Sequence, residues 1–124
     1  MRKIILLVLS LVSILGYSQT LDQSIPRDKQ QHVAVGAAVA GMTYITAYDY
    51  YYLQNPLTAH SKATKVTLAV NISMALLKEL YDYQRAKMQN TWNDAMRKDS
   101  YEDILATWLG GAGVTLIIRI GAGK

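Results

Sequence analysis

Seven ionisable residues stand beside or at the ends of three apolar stretches, and their types suit acid–base chemistry or ion binding. In chain order they are Asp28, Lys29, His32, Lys78, Glu79, Asp82 and Asp103. A charge beside a long apolar run is costly unless it faces another charge or water. The pattern therefore indicates either one shared polar site or a set of solvated helix ends.

Three of these residues are candidate catalytic groups. His32 titrates near neutral pH and could act as a general base, with Asp28 as the carboxylate that orients it. Glu79 is the third candidate. Such a set would suit hydrolysis or group transfer at a lipid or cell-wall headgroup.

The other four residues are candidate binding groups. Lys29 or Lys78 could hold an anionic phosphate. Asp82 and Asp103, together with Glu79, could bind a divalent cation through oxygen ligands. The sequence has no Gly-rich phosphate loop, no Ser nucleophile motif and no His-x-x-x-His pair. We therefore expect no cofactor, with a divalent cation as the alternative and the identity of any metal unknown.

Helical spacing would bring the seven residues together. Asp28 and His32 are four residues apart, as are Lys78 and Asp82, and residues at that spacing share a helix face. In an up-down-up bundle, the end of the second helix lies beside the starts of the first and third helices. We therefore expect the seven side chains to converge at one end of such a bundle.

Three main helices are predicted to position these residues. The first runs from about Arg27 to about Leu53, and Asn55-Pro56 stops it. The second begins near Ser61 and continues past Tyr81. His60, in the connector before the second helix, is expected to be a solvated loop residue.

A polar connector with helical potential, from Gln84 to Ser100, is predicted to follow. Ser100 should cap the last helix, with Asp103 at the capping-box position three residues on. That helix spans about Tyr101 to Ile120. The predicted fold class is all-α, a small up-down bundle of three main helices plus a polar helical connector, preceded by a signal peptide.

Residues 1–18 have the order of a secretory signal peptide. Arg2-Lys3 forms a basic start, Ile4–Leu15 is apolar, and small residues precede the expected cleavage site. We expect cleavage after Ser18, which would leave 19–124 as a single helical membrane-associated domain. An uncleaved membrane anchor is the alternative.

Cysteine content and charge exclude several classes of protein. The chain has no cysteine, which excludes disulfides, thiolate metal sites and a lipid-modified cysteine at the cleavage site. The net charge of +4 includes Arg2 and Lys3 of the signal segment. No basic stripe with interleaved aromatic residues occurs, so we expect no nucleic-acid partner.

The apolar stretches favour association with a membrane after export. Val33–Tyr48 carries no charge. Small residues recur at a spacing of four, as in Ala37 with Gly41, which allows close approach of membrane helices. Tyrosines cluster from 44 to 52, where they suit a membrane interface or the wet rim of a bundle. We expect a cell-envelope protein whose partner is a membrane lipid or an envelope protein, with a soluble periplasmic bundle as the alternative.

Three sequence blocks carry a resemblance to a known family. Asp-Lys-Gln-Gln-His at 28–32, Lys-Glu-Leu-Tyr-Asp at 78–82 and Asp-Ile-Leu-Ala-Thr-Trp-Leu-Gly at 103–110 resemble the signature blocks of the YfiM-like lipoproteins. More distantly, the chain is similar to VanZ-like membrane proteins, which share the Asp-Lys-x-x-His opening. The resemblance covers nearly the whole chain after residue 18. It implies an exported or membrane-associated helical protein and assigns no biochemical activity.

Two positions depart from the family pattern. The cysteine that a lipoprotein carries at its cleavage site is absent. Thr107 stands where the third block commonly has Asn.

Two functions from different classes remain open at this point. The first is a non-catalytic envelope protein in which the seven residues form a structural polar network at one end of the bundle, because buried paired groups can fix helix register. The second is a membrane hydrolase or transferase that acts on an anionic lipid or cell-wall headgroup. A third possibility, between these two, is a site that binds a small ligand or a metal ion without turnover. An open pocket among the seven residues would favour catalysis, and a closed, fully paired junction would favour the structural network.

Overall fold

The computed structural model describes residues 26–123, which form three helices and no strand. Helix α1 spans Arg27–Gln54, α2 spans Pro56–Met88 and α3 spans Asp94–Gly121. Each helix packs against both others. The predicted small all-α bundle is confirmed. The predicted signal peptide lies outside the described residues.

The connection between α1 and α2 is a single residue. Asn55 ends α1, and its side chain accepts a hydrogen bond from the Leu57 amide at 3.0 Å, which caps α2. Pro56 occupies the first helical position, where its missing N–H costs nothing. The prediction that α2 begins near Ser61 was therefore wrong, because Asn55-Pro56 starts one helix as it stops the other.

The connection between α2 and α3 is much shorter than predicted. Asn90 adopts a left-handed φ of 53°, and the Thr91 amide donates to the Ala86 carbonyl at 2.9 Å in a Schellman-type end to α2. Asn93 then caps α3 by accepting from the Met96 amide at 3.0 Å. The polar connector from 84 to 100 is therefore largely helical, and Ser100 lies inside α3 instead of capping it.

Helices α1 and α3 touch backbone to backbone in the first third of α1 and near the middle of α3. A Cβ atom on Gly36 would overlap the Thr107 carbonyl, and a Cβ on Gly110 would overlap the Val33 carbonyl. The fully buried Asn71 of α2 joins this contact by donating to the Gly36 carbonyl at 2.9 Å. All three helices are therefore in close contact at this position along the bundle, and these contacts fix their relative register.

Most buried apolar side chains are alanine, with Tyr44, Val114 and Ile118 as the larger exceptions, while many large apolar side chains face outward. The buried alanines are Ala37, Ala40, Ala59, Ala63, Ala75, Ala86 and Ala106. The large exposed residues of α2 and α3 include Met74, Leu76, Leu77, Leu80, Leu105, Leu109, Leu116, Ile117 and Ile120. Among residues 26–123, α3 is the one helix long and apolar enough to cross a membrane.

Aromatic groups gather where α1 ends and α2 begins. The Tyr44 hydroxyl lies 2.8 Å from His60 Nδ1, and the Tyr48 and His60 ring centroids are 4.4 Å apart. The expectation that His60 is a solvated loop residue was wrong. It lies in the second turn of α2 and is partly buried, because α2 begins earlier than predicted.

Candidate functional site

The seven predicted residues belong to one connected set of ion pairs, which Asp99 also joins. This polar cluster comprises Asp28, Lys29, His32, Lys78, Glu79, Asp82, Asp99 and Asp103. It lies where α1 begins. Helices α2 and α3 continue beyond it as a helical hairpin, so the cluster sits at the base of that hairpin and not at the ends of all three helices.

Asp103 connects the three helices at the centre of the cluster. It is 6% exposed. One carboxylate oxygen accepts a hydrogen bond from Lys29. The other lies 3.2 Å from Lys78 Nζ and 3.0 Å from His32 Nε2. A buried carboxylate needs such partners, and here α1 and α2 both supply them.

Lys29 occupies the middle of an acidic group. Its ammonium donates to Asp99 and Asp103 and lies 3.4 Å from Asp28. Oxygens of these three carboxylates lie within 4.8 Å of one another, a spacing that could hold a metal ion. Because the lysine ammonium already lies among these oxygens, a divalent cation would have to displace it.

Lys78 binds the second group of carboxylates. Its Nζ lies 2.7 Å from Glu79, 2.9 Å from Asp82 and 3.2 Å from Asp103. An ammonium has three N–H donors, and these three carboxylates match that number. The residues proposed from the sequence as cation ligands therefore share a lysine in this structure.

His32 bridges a carboxylate and a hydroxyl of α3. Its Nε2 lies 3.0 Å from Asp103, and its Nδ1 lies 3.3 Å from the Thr107 hydroxyl. The carboxylate that orients His32 is thus Asp103, and not Asp28 as expected from the spacing. Asp28 is more than half exposed and pairs with Lys29.

The electrostatics of the cluster favour the charged forms of Asp103 and of the two lysines. Burial raises the pKa of Asp103, but hydrogen bonds from Lys29 and Lys78 outweigh burial and leave that pKa below its usual value. Burial lowers the pKa of each lysine, but the carboxylate hydrogen bonds outweigh it and raise both lysine pKa values. Asp103, Lys29 and Lys78 are therefore charged over the whole neutral range.

Two residues that contact the cluster, Asp99 and Thr107, were not predicted from the sequence as site residues. Asp99 was assigned to the connector, yet it lies four residues before Asp103 on α3 and faces Lys29. If α3 had been predicted to begin earlier, the i, i+4 spacing of Asp99 and Asp103 would have placed Asp99 in the cluster. Thr107, noted only as a departure from the family pattern, lies one turn further along and contacts His32.

Two cavities adjoin the cluster, and Lys78 lines both. A polar cleft of about 280 Å³ lies between the hairpin helices and reaches Asp82, Arg85 and Asp99. An apolar groove of about 270 Å³ lies between α1 and α2, with Val39 among its lining residues. The cluster is thus fully paired and still borders open space.

Comparison with known proteins finds no relative for this chain. No family model, no curated protein and no solved structure matches it. The resemblance to the YfiM-like lipoproteins therefore stays a prediction.

Proposed function

We propose that this protein is a membrane-embedded three-helix bundle of the cell envelope, in which the polar cluster locks the helices together without catalysing a reaction. The observation that carries the proposal is the sorting of side chains by size, with mostly alanine and glycine inside and most leucine, isoleucine and methionine side chains outside. Water-soluble domains rarely expose large contiguous apolar surfaces. Membrane helices, in contrast, pack through small residues and present large apolar ones to lipid.

The length of α1 agrees with this proposal. The uncharged segments are 33–48 in α1, 66–77 in α2 and 104–118 in α3, and the polar cluster lies just outside them. Lys29 and Tyr48 are 19 residues apart on α1, which corresponds to about 28 Å along a helix. A bilayer has a hydrocarbon core of about 30 Å. The polar cluster and the tyrosines would then lie near opposite faces of the membrane.

The contacts of the polar cluster are those expected of a group that keeps the three helices in one register. Both lysine ammonium groups and both ring nitrogens of His32 have partners. The partners of Asp103 come from α1 and α2, so a shift of one helix by a turn would separate buried charges from their counterions. Such a separation is costly in a medium of low dielectric constant.

Fractionation tests the proposed location. We expect the mature protein, beginning at Gln19, to remain with membranes after both a high-salt wash and an alkaline wash, because neither treatment weakens the contact of lipid with apolar side chains. Recovery of nearly all of it in the soluble periplasmic fraction would contradict the proposal and favour a soluble bundle. Immunoblotting of the fractions, with intact-mass analysis of the N-terminus, provides the measurement.

A membrane hydrolase or transferase is the second candidate function. The contact of His32 with both Asp103 and Thr107 favours it, since a histidine held between a carboxylate and a hydroxyl can move protons. Lipid profiling of a deletion strain distinguishes the two candidates. A lipid that accumulates in this strain and is cleared by the wild-type gene, but not by a His32→Ala gene, would establish catalysis.

The matched control for that experiment is His60→Ala. It changes the other histidine of the chain, which lies in the second turn of α2. Under the structural proposal, no lipid should accumulate in a way that depends on His32. If His32→Ala lowers the amount of protein in the membrane, the effect on lipids must be compared at equal protein levels.

A further inference from the structure

The polar cleft and the apolar groove together have the form of a site for one membrane lipid. We propose that they bind a phospholipid whose headgroup carries a primary ammonium group. The acyl chain would lie in the groove, and the ammonium would lie in the cleft. The proposal rests on the membrane-embedded bundle proposed above and names a ligand for it.

The groove runs along the helices, away from the polar cluster. Its lining on α1 extends from His32 to Val39, a span of seven residues or about 10 Å. Met74 and Ala75 of α2 form the opposite wall. Lipid acyl chains lie roughly along the helix axes in a bilayer, so a chain that enters from the membrane would meet this wall lengthwise.

The charge of the cleft selects the headgroup. Four carboxylates and two basic side chains line it, which leaves a net charge of −2. The four acids are Glu79, Asp82, Asp99 and Asp103. An anionic headgroup would be repelled by this excess, while an ammonium group would reduce it.

The hydrogen-bonding capacity of the cleft leads to the same choice. The ammonium of Lys78 is taken up by its three carboxylate partners. Asp82 and Asp99 have side chains 42% and 58% exposed, so each keeps lone pairs free to accept from a ligand. Arg85 makes no ion pair among residues 26–123 and lines the cleft, where it can face a phosphodiester. Free acceptors beside one unpaired cation match a zwitterion of phosphate and ammonium.

Thermal unfolding of the full chain in detergent tests this proposal. Phosphatidylethanolamine, phosphatidylglycerol and free ethanolamine are added to separate samples. We expect phosphatidylethanolamine, at about five times its Kd, to raise Tm by about 4–8 °C. Phosphatidylglycerol lacks the ammonium and ethanolamine lacks the acyl chain, so both should raise Tm much less. An equal rise with the two phospholipids would overturn the proposal.

Variants locate the site. Val39→Trp fills the groove and should abolish the rise in Tm caused by phosphatidylethanolamine, whereas Leu116→Trp, on the exposed face of α3, should retain it. Met74→Trp, on the opposite wall, replaces Val39→Trp if that variant does not fold. Asp82→Asn should reduce the preference for phosphatidylethanolamine over phosphatidylglycerol. A full response in both groove variants would overturn the proposed site.

This test is independent of the fractionation experiment. A protein that stays with membranes but responds equally to both phospholipids would refute the lipid site and leave the membrane bundle standing. A protein recovered in the soluble fraction would refute the membrane bundle, whatever its response to lipid.

Discussion

Asp103 is the residue on which the polar cluster depends. It accepts hydrogen bonds from Lys29 and Lys78 and contacts His32, and it is almost fully buried. Each lysine also keeps other carboxylate partners, Asp99 for Lys29 and Glu79 for Lys78. Removal of the Asp103 charge should therefore weaken the cluster without leaving either ammonium wholly unpaired.

We predict that Asp103→Asn lowers the free energy of unfolding by about 1–3 kcal/mol, the usual cost of leaving buried polar groups poorly satisfied. The matched control is Glu102→Gln, the neighbouring acid, which is half exposed and lies 3.8 Å from Lys98. Surface pairs of this kind contribute little, so the control should change stability by less than about 0.5 kcal/mol. Denaturation of both variants in the same detergent provides the comparison, and equal losses would contradict a special role for Asp103.

The pH dependence of stability follows from the same contacts. The lowered pKa of Asp103 means that its stabilisation is present above the unfolded pKa of about 3.9 and is lost as pH falls through the folded value. The raised pKa values of Lys29 and Lys78 act at the other limit. Their stabilisation is present below about 10.4 and is lost as pH rises through the folded values.

We therefore predict that the difference in Tm between the wild type and Asp103→Asn shrinks as pH falls below about 4. Protonation of Asp103 in the wild type removes the charge that the variant already lacks. Melting curves from pH 3 to pH 8 provide the measurement. A difference that stays constant down to about pH 3 would contradict the assigned ion pairs.

The residue types of the cluster could be predicted from the sequence, but their pairing could not. Spacing placed His32 beside Asp28 on one helix, whereas the structure pairs His32 with Asp103 on another. The spacing of residues along one helix does not determine which residues of a neighbouring helix lie beside them. Asp99 was missed because α3 was predicted to begin at Tyr101.

At the scale of helices, the close contact of α1 with α3 depends on glycine. Gly110 lies against the backbone of Val33, where a Cβ has no room, while Gly113 on the same helix faces open space. We predict that Gly110→Ala destabilises the bundle by about 1–3 kcal/mol through overpacking. Gly113→Ala should instead stabilise it by about 0.4–1 kcal/mol, because alanine restricts the unfolded chain. Denaturation of the two variants provides the measurement, and equal effects would contradict the helix contact.

The helix types could be predicted from the sequence, and the boundaries were wrong where two signals competed. Ser100 followed by Asp103 resembles a capping box, yet Asn93 caps α3 with a hydrogen bond from Met96. The stretch between 84 and 100 is polar because the hairpin of α2 and α3 extends beyond the apolar segments, and not because it is a loop. Polarity by itself does not distinguish a solvated helix from a connector.

At the scale of the whole molecule, the sorting of side chains by size is a property of three-dimensional packing. A composition of 51% hydrophobic residues with a mean hydropathy of +0.07 is ordinary for a small domain. The sequence left a membrane bundle and a soluble bundle both open for this reason. In the structure, most buried apolar residues are alanine, and Leu109 and Leu116 on α3 are each more than half exposed.

The most direct test of the membrane bundle uses the absence of cysteine from the chain. Leu109→Cys would place one thiol on the exposed apolar face of α3, and Lys98→Cys would place one on the polar hairpin of the same helix. In opened membranes, a water-soluble maleimide should label Leu109→Cys at least about tenfold more slowly than Lys98→Cys. The reason is that hydrocarbon excludes both the reagent and the reactive thiolate. Both should label fully in denaturing detergent. Equal labelling rates of the two variants in opened membranes would contradict the proposed membrane bundle.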